Sequence, residues 1–412
     1  MSDHPNPDHA TVDPSGRPLR VLLAGGGTAG HINPLLATAA ALRNDAAGGD
    51  PETGILVLGT KEGLEARLVP EAGYELAHVP RVPMPRRPTG DLLLLPRRLR
   101  RAVAAAGQAI TQVGADVVVG FGGFVSTPAY LAARSAGVPV VIHEQNARPG
   151  LANRLGARWA AAVALTFAST PLAASHGRTE VTGLPLRPAI AGLVGRLHAD
   201  ADAARREGAA ALGLDPQAPT LLVTGGSLGA QHLNEVMCDC IGRLPENLQV
   251  LHLTGRNKDA PVRNALEQVG VDAPGILERY HVLEYLTAME HAYACADGVI
   301  CRSGAGTVAE LTALGLPALY VPLPIGNGEQ RLNAADCVAA GGGQLVSDAD
   351  LGGDDVMAFT ALLTDSDRRR QAAVAAASTG VRDGAERLAA LIRYVAAGDS
   401  ADGPADDTEN QE

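Results

Sequence analysis

Residues 19–43 read LRVLLAGGGTAGHINPLLATAAALR. The apolar run at residues 19–24 predicts a buried β-strand, and the pattern rich in Ala and Leu that ends near Arg43 predicts a helix. Three successive glycines and the sequence Thr28-Ala29-Gly30-His31 separate the two. The stretch therefore predicts a strand, a tight glycine-rich turn and a helix, which together form the repeating unit of an α/β sheet.

The same order of elements recurs along the chain. Short apolar runs that end in turn residues follow at residues 55–59, 116–120, 138–143 and 163–165. A second strand and glycine turn, TLLVTGGSLGA, occupies residues 220–230, and further apolar runs lie at residues 250–253, 298–301 and 318–321. Largely apolar strands separated by helices indicate parallel sheets covered on both faces. The predicted fold class is α/β, with two Rossmann-like domains that face each other across a cleft.

The length of 412 residues fits two domains, since single domains usually run to roughly 100–200 residues. The sequence VTGLPLRP at residues 181–188 breaks the alternation of strands and helices, so we place the domain boundary near Leu184. The polar N-terminal end and the acidic C-terminal end are expected to be disordered. The predicted segments are residues 1–18 (disordered), 19–184 (first domain), 185–370 (second domain), 371–397 (a C-terminal helix that packs back on the first domain) and 398–412 (a disordered acidic tail).

Charge and composition argue against several classes of function. The formal net charge of −11 disfavours a general nucleic-acid-binding protein, which would be basic. No apolar stretch reaches the roughly 18–20 residues of a membrane-spanning helix, so we expect any membrane contact to be peripheral. The five cysteines form no Cys-x-x-Cys pair, and the polar N-terminal end does not resemble a signal peptide. We therefore expect buried thiols and a protein that stays inside the cell.

The first glycine loop has the spacing Gly25-x-Gly27-x-x-Gly30, which matches a dinucleotide-binding fingerprint. A NAD site also requires an acidic residue at the end of the second strand, but that strand ends in Gly59-Thr60-Lys61. NAD binding is therefore disfavoured, and a tight turn without a ligand is a further alternative. Glycines in this position allow the backbone N–H groups and the positive end of the following helix to approach a pyrophosphate.

Two later turns also connect a strand to a helix. The spacing Gly225-x-Ser227-x-Gly229 matches the nucleophile elbow of serine hydrolases as well. His252, His281 and His291 follow it, but no acidic residue at a strand end followed by a histidine stands out, so a phosphate-binding loop is the simpler interpretation. The third turn, CRSGAGTVAE at residues 301–310, offers further free backbone N–H groups and places Glu310 about one turn inside its helix. A glutamate there is either a ligand-binding residue or a partner of the helix dipole.

Two acidic pairs, Asp200-x-Asp202 and Asp348-x-Asp350, have the spacing of the metal ligands found in one class of glycosyltransferase. The first pair lies in an Ala-rich helical linker and the second in a turn, so we interpret both as structural. No metal site and no cofactor are predicted. Helix N-termini and loop amides would then have to stabilise a departing diphosphate.

Seven motifs occur in order within residues 19–395: GGTAGH (26–31), GFGGFVS (120–126), HEQN (143–146), GLPLR (183–187), GGSLGA (225–230), CRSG (301–304) and EQRLNA (329–334). Taken together, they resemble the MurG family, the peripheral transferases that add N-acetylglucosamine to lipid I to make lipid II. The resemblance implies the two-lobed GT-B fold. It also implies that UDP-N-acetylglucosamine, a substrate, is held mainly by the second lobe and undecaprenyl-linked lipid I by the first.

The resemblance assigns donor contacts to residues of both lobes. It implies that Ser227 and Arg187 hold the diphosphate or nucleotide, that Leu286 faces uracil and that Glu310 binds the ribose hydroxyls. The other implied donor contacts are Ala305, Gly306, Thr307, Val308 and Ala309 at the diphosphate, Gln330 at the sugar hydroxyls, and Thr28, Ala29, Gly30 and Asn146 at the sugar from across the cleft. The acceptor diphosphate is expected at Gly122, Gly123, Phe124 and Ser126.

The implied chemistry is inversion at the anomeric carbon, in which an acceptor hydroxyl that has lost its proton to a base displaces UDP. The base must lie within hydrogen-bonding reach of that hydroxyl. His31, at the mouth of the first glycine loop, is the leading candidate, and an alternative role for it is to orient the diphosphate or cap the helix. Glu144 is the second candidate.

The acceptor that the resemblance implies stays in the bilayer. A basic and apolar segment at residues 81–101 could therefore dock the protein on the membrane. Arginines attract anionic lipid and leucines add apolar burial, although a solvated helix face is the alternative. The resemblance places the protein peripherally on the cytoplasmic side of the plasma membrane, where it could meet other cell-wall synthesis proteins. The predicted membrane patch consists of Arg81, Arg86, Arg87, Leu92, Leu93, Leu94, Leu95, Arg97, Arg98, Arg100 and Arg101.

Two alternatives to this function remain. One is another GT-B enzyme, either a natural-product glycosyltransferase or a UDP-N-acetylglucosamine epimerase. The other is a nucleotide-sugar sensor that keeps the fold without turnover. The basic and apolar segment and the HEQN motif argue against the first, and the presence of both donor and acceptor loops argues against the second.

Overall fold

The computed structural model describes residues 17–82, 95–226, 229–324 and 327–398. The first lobe contains a parallel seven-stranded sheet in the order β3-β2-β1-β4-β5-β6-β7. Its strands are β1 (Arg20–Ala24), β2 (Gly54–Gly59), β3 (Glu75–His78), β4 (Val117–Gly120), β5 (Val140–Glu144), β6 (Ala162–Leu165) and β7 (Arg178–Val181). Its helices are α1 (Ala29–Arg43), α2 (Glu65–Glu71), α3 (Leu95–Val113), α4 (Ser126–Ala136) and α5 (Leu151–Gly156).

The second lobe repeats this design with a parallel six-stranded sheet in the order β10-β9-β8-β11-β12-β13. Its strands are β8 (Thr220–Thr224), β9 (Gln249–Leu253), β10 (Tyr280–Leu283), β11 (Gly298–Cys301), β12 (Ala318–Tyr320) and β13 (Gly343–Leu345). The remaining helices are α6 (Pro188–Leu212), α7 (Gln231–Cys240), α8 (Ala260–Asp272), α9 (Ile276–Arg279), α10 (Met289–Cys295), α11 (Ala305–Leu314), α12 (Glu329–Asn333), α13 (Ala335–Ala339), α14 (Gly353–Thr364), α15 (Ser366–Ala377) and α16 (Gly384–Ala396).

Helices cover both faces of each sheet, which explains why the central strands are apolar throughout. In β1, Leu22 packs into the core on one face, while Val21 and Leu23 pack into the core on the other. Successive side chains of a strand point to opposite faces, so a strand covered on both sides has no polar alternation. The predicted α/β class with two Rossmann-like domains is confirmed.

The C-terminal segment differs from the single helical pattern expected over residues 371–397. Two helices, α15 and α16, replace it, and the chain bends between them where Gly380 lies against α11: a Cβ at Gly380 would be 2.2 Å from the carbonyl oxygen of Thr312. The last helix, α16, contributes Leu388 and Ile392 to the core that contains Val21 of the first lobe. The Ala-rich linker predicted to be helical forms α6, which spans 25 residues and is kinked at Asp200.

Parallel sheets place all their carboxyl-terminal strand ends along one edge, where ligands of α/β proteins bind. The glycine turns after β1, β4, β8 and β11 lie at these edges, and both edges line the cleft between the lobes. Within the described ranges, no helix has the length and apolar character needed to cross a membrane. The predictions for residues 1–16 and 399–412, and for Arg86, Arg87, Leu92, Leu93 and Leu94, lie outside the described residues.

Candidate active site

A cleft with a volume of about 1370 Å³ separates the two lobes. It is large enough for a nucleotide sugar and part of an acceptor, because small-ligand pockets usually measure roughly 300–1,000 Å³. Most of the residues singled out from the sequence line this cleft. They are Thr28, Ala29, Gly30, His31, Gly122, Gly123, Phe124, Glu144, Asn146, Arg187, Leu286, Ala305, Gly306, Thr307, Glu310 and Gln330.

The first glycine loop rests on a buried carboxylate that the sequence analysis did not identify. Glu65 Oε2 accepts a hydrogen bond from Gly27 N at 3.0 Å, and Oε1 accepts from Thr60 N and Thr60 Oγ1 at 2.9 and 2.7 Å. Burial would raise the pKa of Glu65, but the bonds from Gly27 and Thr60 outweigh it and lower that pKa. The amide of Gly27 is therefore committed to the protein, and a negative charge lies beneath a loop that had been considered for pyrophosphate.

The side chain of His31 is held in one orientation by this loop. Its Nδ1 lies 3.1 Å from Gly26 O and 3.1 Å from Thr28 Oγ1. A carbonyl oxygen can only accept, so in the neutral ring Nδ1 carries the proton and Nε2 keeps its lone pair. Burial lowers the pKa of His31, although the bond to Gly26 O and the charges of Glu329 and Glu65 oppose this shift. The ring is thus neutral near pH 7, as a general base must be.

The carboxylate of the second candidate base, Glu144, accepts three hydrogen bonds from the residues that follow β5. Its Oε1 accepts from Asn146 N at 3.0 Å, and its Oε2 accepts from Gly150 N and from Asn153 Nδ2, both at 2.9 Å. Burial raises the pKa of Glu144 against these three donors. The carboxylate thus shapes the loop after β5, and the geometry favours His31 as the base.

The loop after β4 passes beside the His31 ring. Gly122 and Gly123 have φ values of +87° and +77°, which side chains rarely tolerate, and a Cβ at Gly122 would lie 3.3 Å from His31 Nε2. The ring of Phe124 packs under the guanidinium of Arg81, whose Cζ is 5.3 Å from the ring centroid. These residues place the expected acceptor loop next to the free nitrogen of His31.

Ser126 was expected at the acceptor diphosphate, but the structure places it elsewhere. Its side chain is fully buried, and its hydroxyl lies within hydrogen-bonding distance of Gly122 O and Ala24 O, at 2.8 and 3.1 Å. Because the hydroxyl bonds to carbonyl groups inside the lobe, it supports the Gly122 turn and does not face the cleft.

The segment expected to cap the donor diphosphate is the beginning of α11. Ala305, Gly306 and Thr307 occupy its first turn and line the cleft. The first amides of a helix have no partner within the helix, and they attract anions together with the helix dipole. Val308 and Ala309 differ from the expectation, because their side chains belong to the buried core of the second lobe.

Arg187 and Glu310 form a bidentate ion pair in the part of the cleft where the donor is expected to bind. Arg187 Nε donates to Glu310 Oε1 at 2.7 Å, and Arg187 Nη2 donates to Oε2 at 3.0 Å. The hydroxyl of Tyr293 donates to the same Oε2 at 3.1 Å. Tyr293 was missed by the sequence analysis, since its position in an apolar helical pattern gave no sign of a polar partner.

The other residues expected to bind the donor are Ser227 in the second glycine loop, Leu286 after β10 and Gln330 in α12. Ser227 lies outside the described residues, although Gly226 before it lines the cleft. Leu286 lies half-buried in the cleft wall. Gln330 accepts a hydrogen bond from Leu323 N at 2.9 Å through Oε1, which leaves its amide NH₂ group as the part that can serve a ligand.

Asn333, a second residue missed by the sequence analysis, joins the lobes. Its Oδ1 accepts from Ala147 N at 2.9 Å, and its Nδ2 lies 3.4 Å from Asn146 Oδ1 and 3.2 Å from Ser303 O. Asn333 is 1% exposed. The motif EQRLNA contained this asparagine, but sequence alone could not identify its partners in the first lobe, which lie more than a hundred residues away.

The two acidic pairs make contacts within the protein. Asp200 accepts a hydrogen bond from Ala203 N at the kink of α6, and Asp348 forms an ion pair with Arg302. Asp350 Oδ2 accepts from Ser347 Oγ at 2.6 Å. In the part of the chain that the structure describes, no group of three or more His, Cys, Asp or Glu side chains is arranged to hold a metal ion.

Two family models match this chain. Residues 21–165 match the glycosyltransferase family 28 N-terminal domain, and residues 220–388 match the glycosyltransferase family 28 C-terminal domain. The first match covers β1 to β6 of the first sheet and the second covers all six strands of the second sheet, so each lobe corresponds to one of the family's domains.

Curated relatives align over most of the chain. A UDP-N-acetylglucosamine--N-acetylmuramyl-(pentapeptide) pyrophosphoryl-undecaprenol N-acetylglucosamine transferase from Nocardioides is 51% identical, over 93% of this chain and 100% of the relative. A transferase of the same name from Streptomyces avermitilis is 50% identical, over 91% of this chain and 98% of the relative.

Solved structures show the same architecture. The crystal structure of MurG from Acinetobacter baumannii matches with a TM-score of 0.72 and 27% identity, over 91% of this chain and 99% of that one. The UDP-GlcNAc 2-epimerase from Neisseria meningitidis, solved with UDP-GlcNAc, matches with a TM-score of 0.63 and 13% identity, over 91% of this chain and 100% of that one. The second likeness is one of fold alone.

Proposed function

The chain belongs to the MurG family within glycosyltransferase family 28, and from this we propose that it transfers N-acetylglucosamine from UDP-N-acetylglucosamine to the muramyl sugar of lipid I. The reaction inverts the anomeric carbon and forms lipid II for peptidoglycan synthesis. The observation that carries this proposal is the 51% identity to a transferase of that name over 93% of this chain. The cleft adds support, because it unites a neutral histidine with the free amides of a helix N-terminus.

In the proposed mechanism, His31 Nε2 takes the proton of the acceptor hydroxyl. The hydroxyl oxygen then forms a bond to the anomeric carbon of the donor sugar as the bond to the UDP oxygen breaks, and the electron pair leaves with UDP. The bond between His31 Nδ1 and Gly26 O stabilises the imidazolium that forms. The acceptor loop at Gly122 lies beside the ring, so the hydroxyl would approach from that side.

We propose that the diphosphate charge that develops on UDP is stabilised without a metal ion. The first-turn amides at Ala305, Gly306 and Thr307 line the cleft and belong to a helix N-terminus, which carries a partial positive charge. Arg187 lines the same cleft and carries a positive charge, which is paired with Glu310 in this structure. Addition of a chelator should therefore leave the rate of transfer unchanged.

We also propose that the first lobe docks peripherally on the cytoplasmic side of the plasma membrane. The support is the amino-terminal part of α3, where Arg97, Arg100 and Arg101 are exposed. Leu95 and Leu99 follow one side of that helix and line the cleft. A basic surface next to an apolar opening suits an acceptor whose diphosphate is tethered to anionic lipid.

The proposal is tested by incubating purified protein with labelled UDP-N-acetylglucosamine and a short-chain lipid I analogue. We expect a labelled disaccharide product and equimolar UDP. Epimerised sugar without a coupled product would instead identify an epimerase. Tight binding of UDP without turnover on this acceptor would identify a sensor.

A further inference from the structure

Three side chains from different helices meet at the donor end of the cleft. Arg187 is the N-cap residue of α6, Tyr293 lies in α10 and Glu310 lies in α11. The Arg187 guanidinium donates hydrogen bonds to both oxygens of the Glu310 carboxylate, at 2.7 and 3.0 Å. The Tyr293 hydroxyl donates to Oε2 at 3.1 Å. All three residues line the cleft, so this cluster occupies space that a donor would contact.

The ion pair conflicts with the roles expected of its two members. Arg187 is expected to hold the donor's diphosphate or nucleotide, and Glu310 is expected to accept hydrogen bonds from the ribose hydroxyls. While Arg187 binds the carboxylate in bidentate fashion, its Nε–H and one Nη2 hydrogen are used, and only Nη1 and the second Nη2 hydrogen can donate to a phosphate in the same orientation. A diphosphate that draws the guanidinium toward itself therefore weakens the contact between Arg187 and the carboxylate.

Once Arg187 turns toward the donor, Glu310 needs another group to keep its orientation. The last torsion of a glutamate side chain is broad, so an unheld carboxylate samples many orientations. Tyr293 provides the second contact, and its ring cannot follow the ligand, because it is 4% exposed and packed in the core with Leu193 and Val308. Burial and the nearby Glu310 charge raise the pKa of Tyr293, so its hydroxyl remains a donor.

We propose that Tyr293 is a positioning residue that holds Glu310 in place for the ribose hydroxyls when Arg187 turns to the donor, and that it thereby sets the preference for ribose over deoxyribose donors. This inference rests on the proposed function, because it takes a uridine nucleotide sugar as the ligand. A hydrogen bond from Tyr293 to Oε2 leaves Oε1 and a lone pair of Oε2 for the two hydroxyls.

The experiment compares Tyr293→Phe with the unmodified protein, using UDP-N-acetylglucosamine and its 2′-deoxyribose analogue as donors. The substitution removes only the hydroxyl, so the ring keeps its packing. We expect the donor KM for UDP-N-acetylglucosamine to rise about tenfold with kcat changed less than about twofold. The KM for the deoxy donor should rise much less, so that discrimination between the donors falls by about threefold or more.

Tyr320→Phe is the matched control, because Tyr320 is buried in the same core, its hydroxyl contacts Cys337 Sγ and it does not line the cleft. We expect this variant to keep the discrimination ratio of the unmodified protein. An equal rise in KM for both donors in Tyr293→Phe, or no rise for either, would overturn the inference while transfer itself stands. If the unmodified protein bound no UDP, the proposed function would fail together with the inference.

Discussion

At the level of single residues, His31 is the group on which the chemical step depends. Replacing His31 with Ala should lower kcat by about 10²- to 10⁴-fold, the usual contribution of a general base, while the affinity for UDP stays near that of the unmodified protein. Burial lowers the pKa of His31, so kcat/KM should fall only when the pH drops below the ordinary histidine value of about 6.5. Normal turnover in His31→Ala, measured with a soluble acceptor, would remove His31 as the base.

Glu65 makes a separate prediction about stability. Replacing it with Ala should lower the free energy of unfolding by about 1.5–3 kcal/mol, because Gly27 N and Thr60 N lose a charged acceptor. The hydrogen bonds lower the pKa of Glu65 in the folded protein, so its contribution is present above the unfolded value of about 4.3 and is lost as the pH falls through the folded value. Urea unfolding at pH 7 and pH 3 measures the difference in the free energy of unfolding between Glu65→Ala and the unmodified protein. We expect this difference to be smaller at pH 3. Glu71→Ala, on the exposed side of α2, is the control.

These residues also show where sequence reasoning stops. His31 could be identified because it belongs to a glycine loop whose strand and helix are visible in the local pattern. Glu65, Tyr293 and Asn333 could not, because each has a partner on another element of the chain, and the two meet only in the folded protein. A buried polar side chain is defined by its partner, and the sequence shows only one member of each pair.

At the level of elements, the degree to which a strand is covered explains which strands could be predicted from the sequence and which could not. All nine predicted apolar runs form strands, with boundaries shifted by no more than two residues. The four strands that were missed, β3, β7, β10 and β13, are the outer strands of the two sheets. An outer strand is covered less completely, so it tolerates polar residues and lacks a continuous apolar run: Glu75 and His78 in β3 are exposed.

The amino-terminal part of α3 carries a prediction about membrane binding. Changing Arg97, Arg98, Arg100 and Arg101 to Gln should weaken binding to vesicles that contain anionic lipid, by about 1 kcal/mol for each arginine. Transfer to a water-soluble acceptor should be unaffected, because these four arginines are not among the residues that line the cleft. Vesicle co-sedimentation measures the first effect, and Arg368→Gln with Arg370→Gln in α15 of the second lobe is the control. Equal sedimentation of the α3 variant would reject the docking surface.

At the level of the whole molecule, the chain crosses between the lobes twice, and the crossings touch. Gly183 lies in the first crossing with φ at +78°, and a Cβ there would lie 2.4 Å from Val381 Cβ in the second. Domains commonly hinge about a few connecting residues of this kind. The lobes also contact each other directly, for example through the bond from Ser169 Oγ to Asp336 Oδ2 at 3.1 Å.

Asn333 also joins the lobes, since it bonds to the loop after β5 and to the loop after β11 at once. Asn333→Ala should leave the affinity for UDP unchanged, because the groups expected to bind UDP belong to the second lobe. It should lower kcat/KM for UDP-N-acetylglucosamine by about tenfold, because Ala147 N loses its acceptor and Asn146 loses a partner. Calorimetric titration with UDP and steady-state kinetics measure the two quantities, and Leu332→Ala, an exposed neighbour, is the control. Equal losses in UDP affinity and turnover would mean that Asn333 supports the second lobe locally and does not join the two.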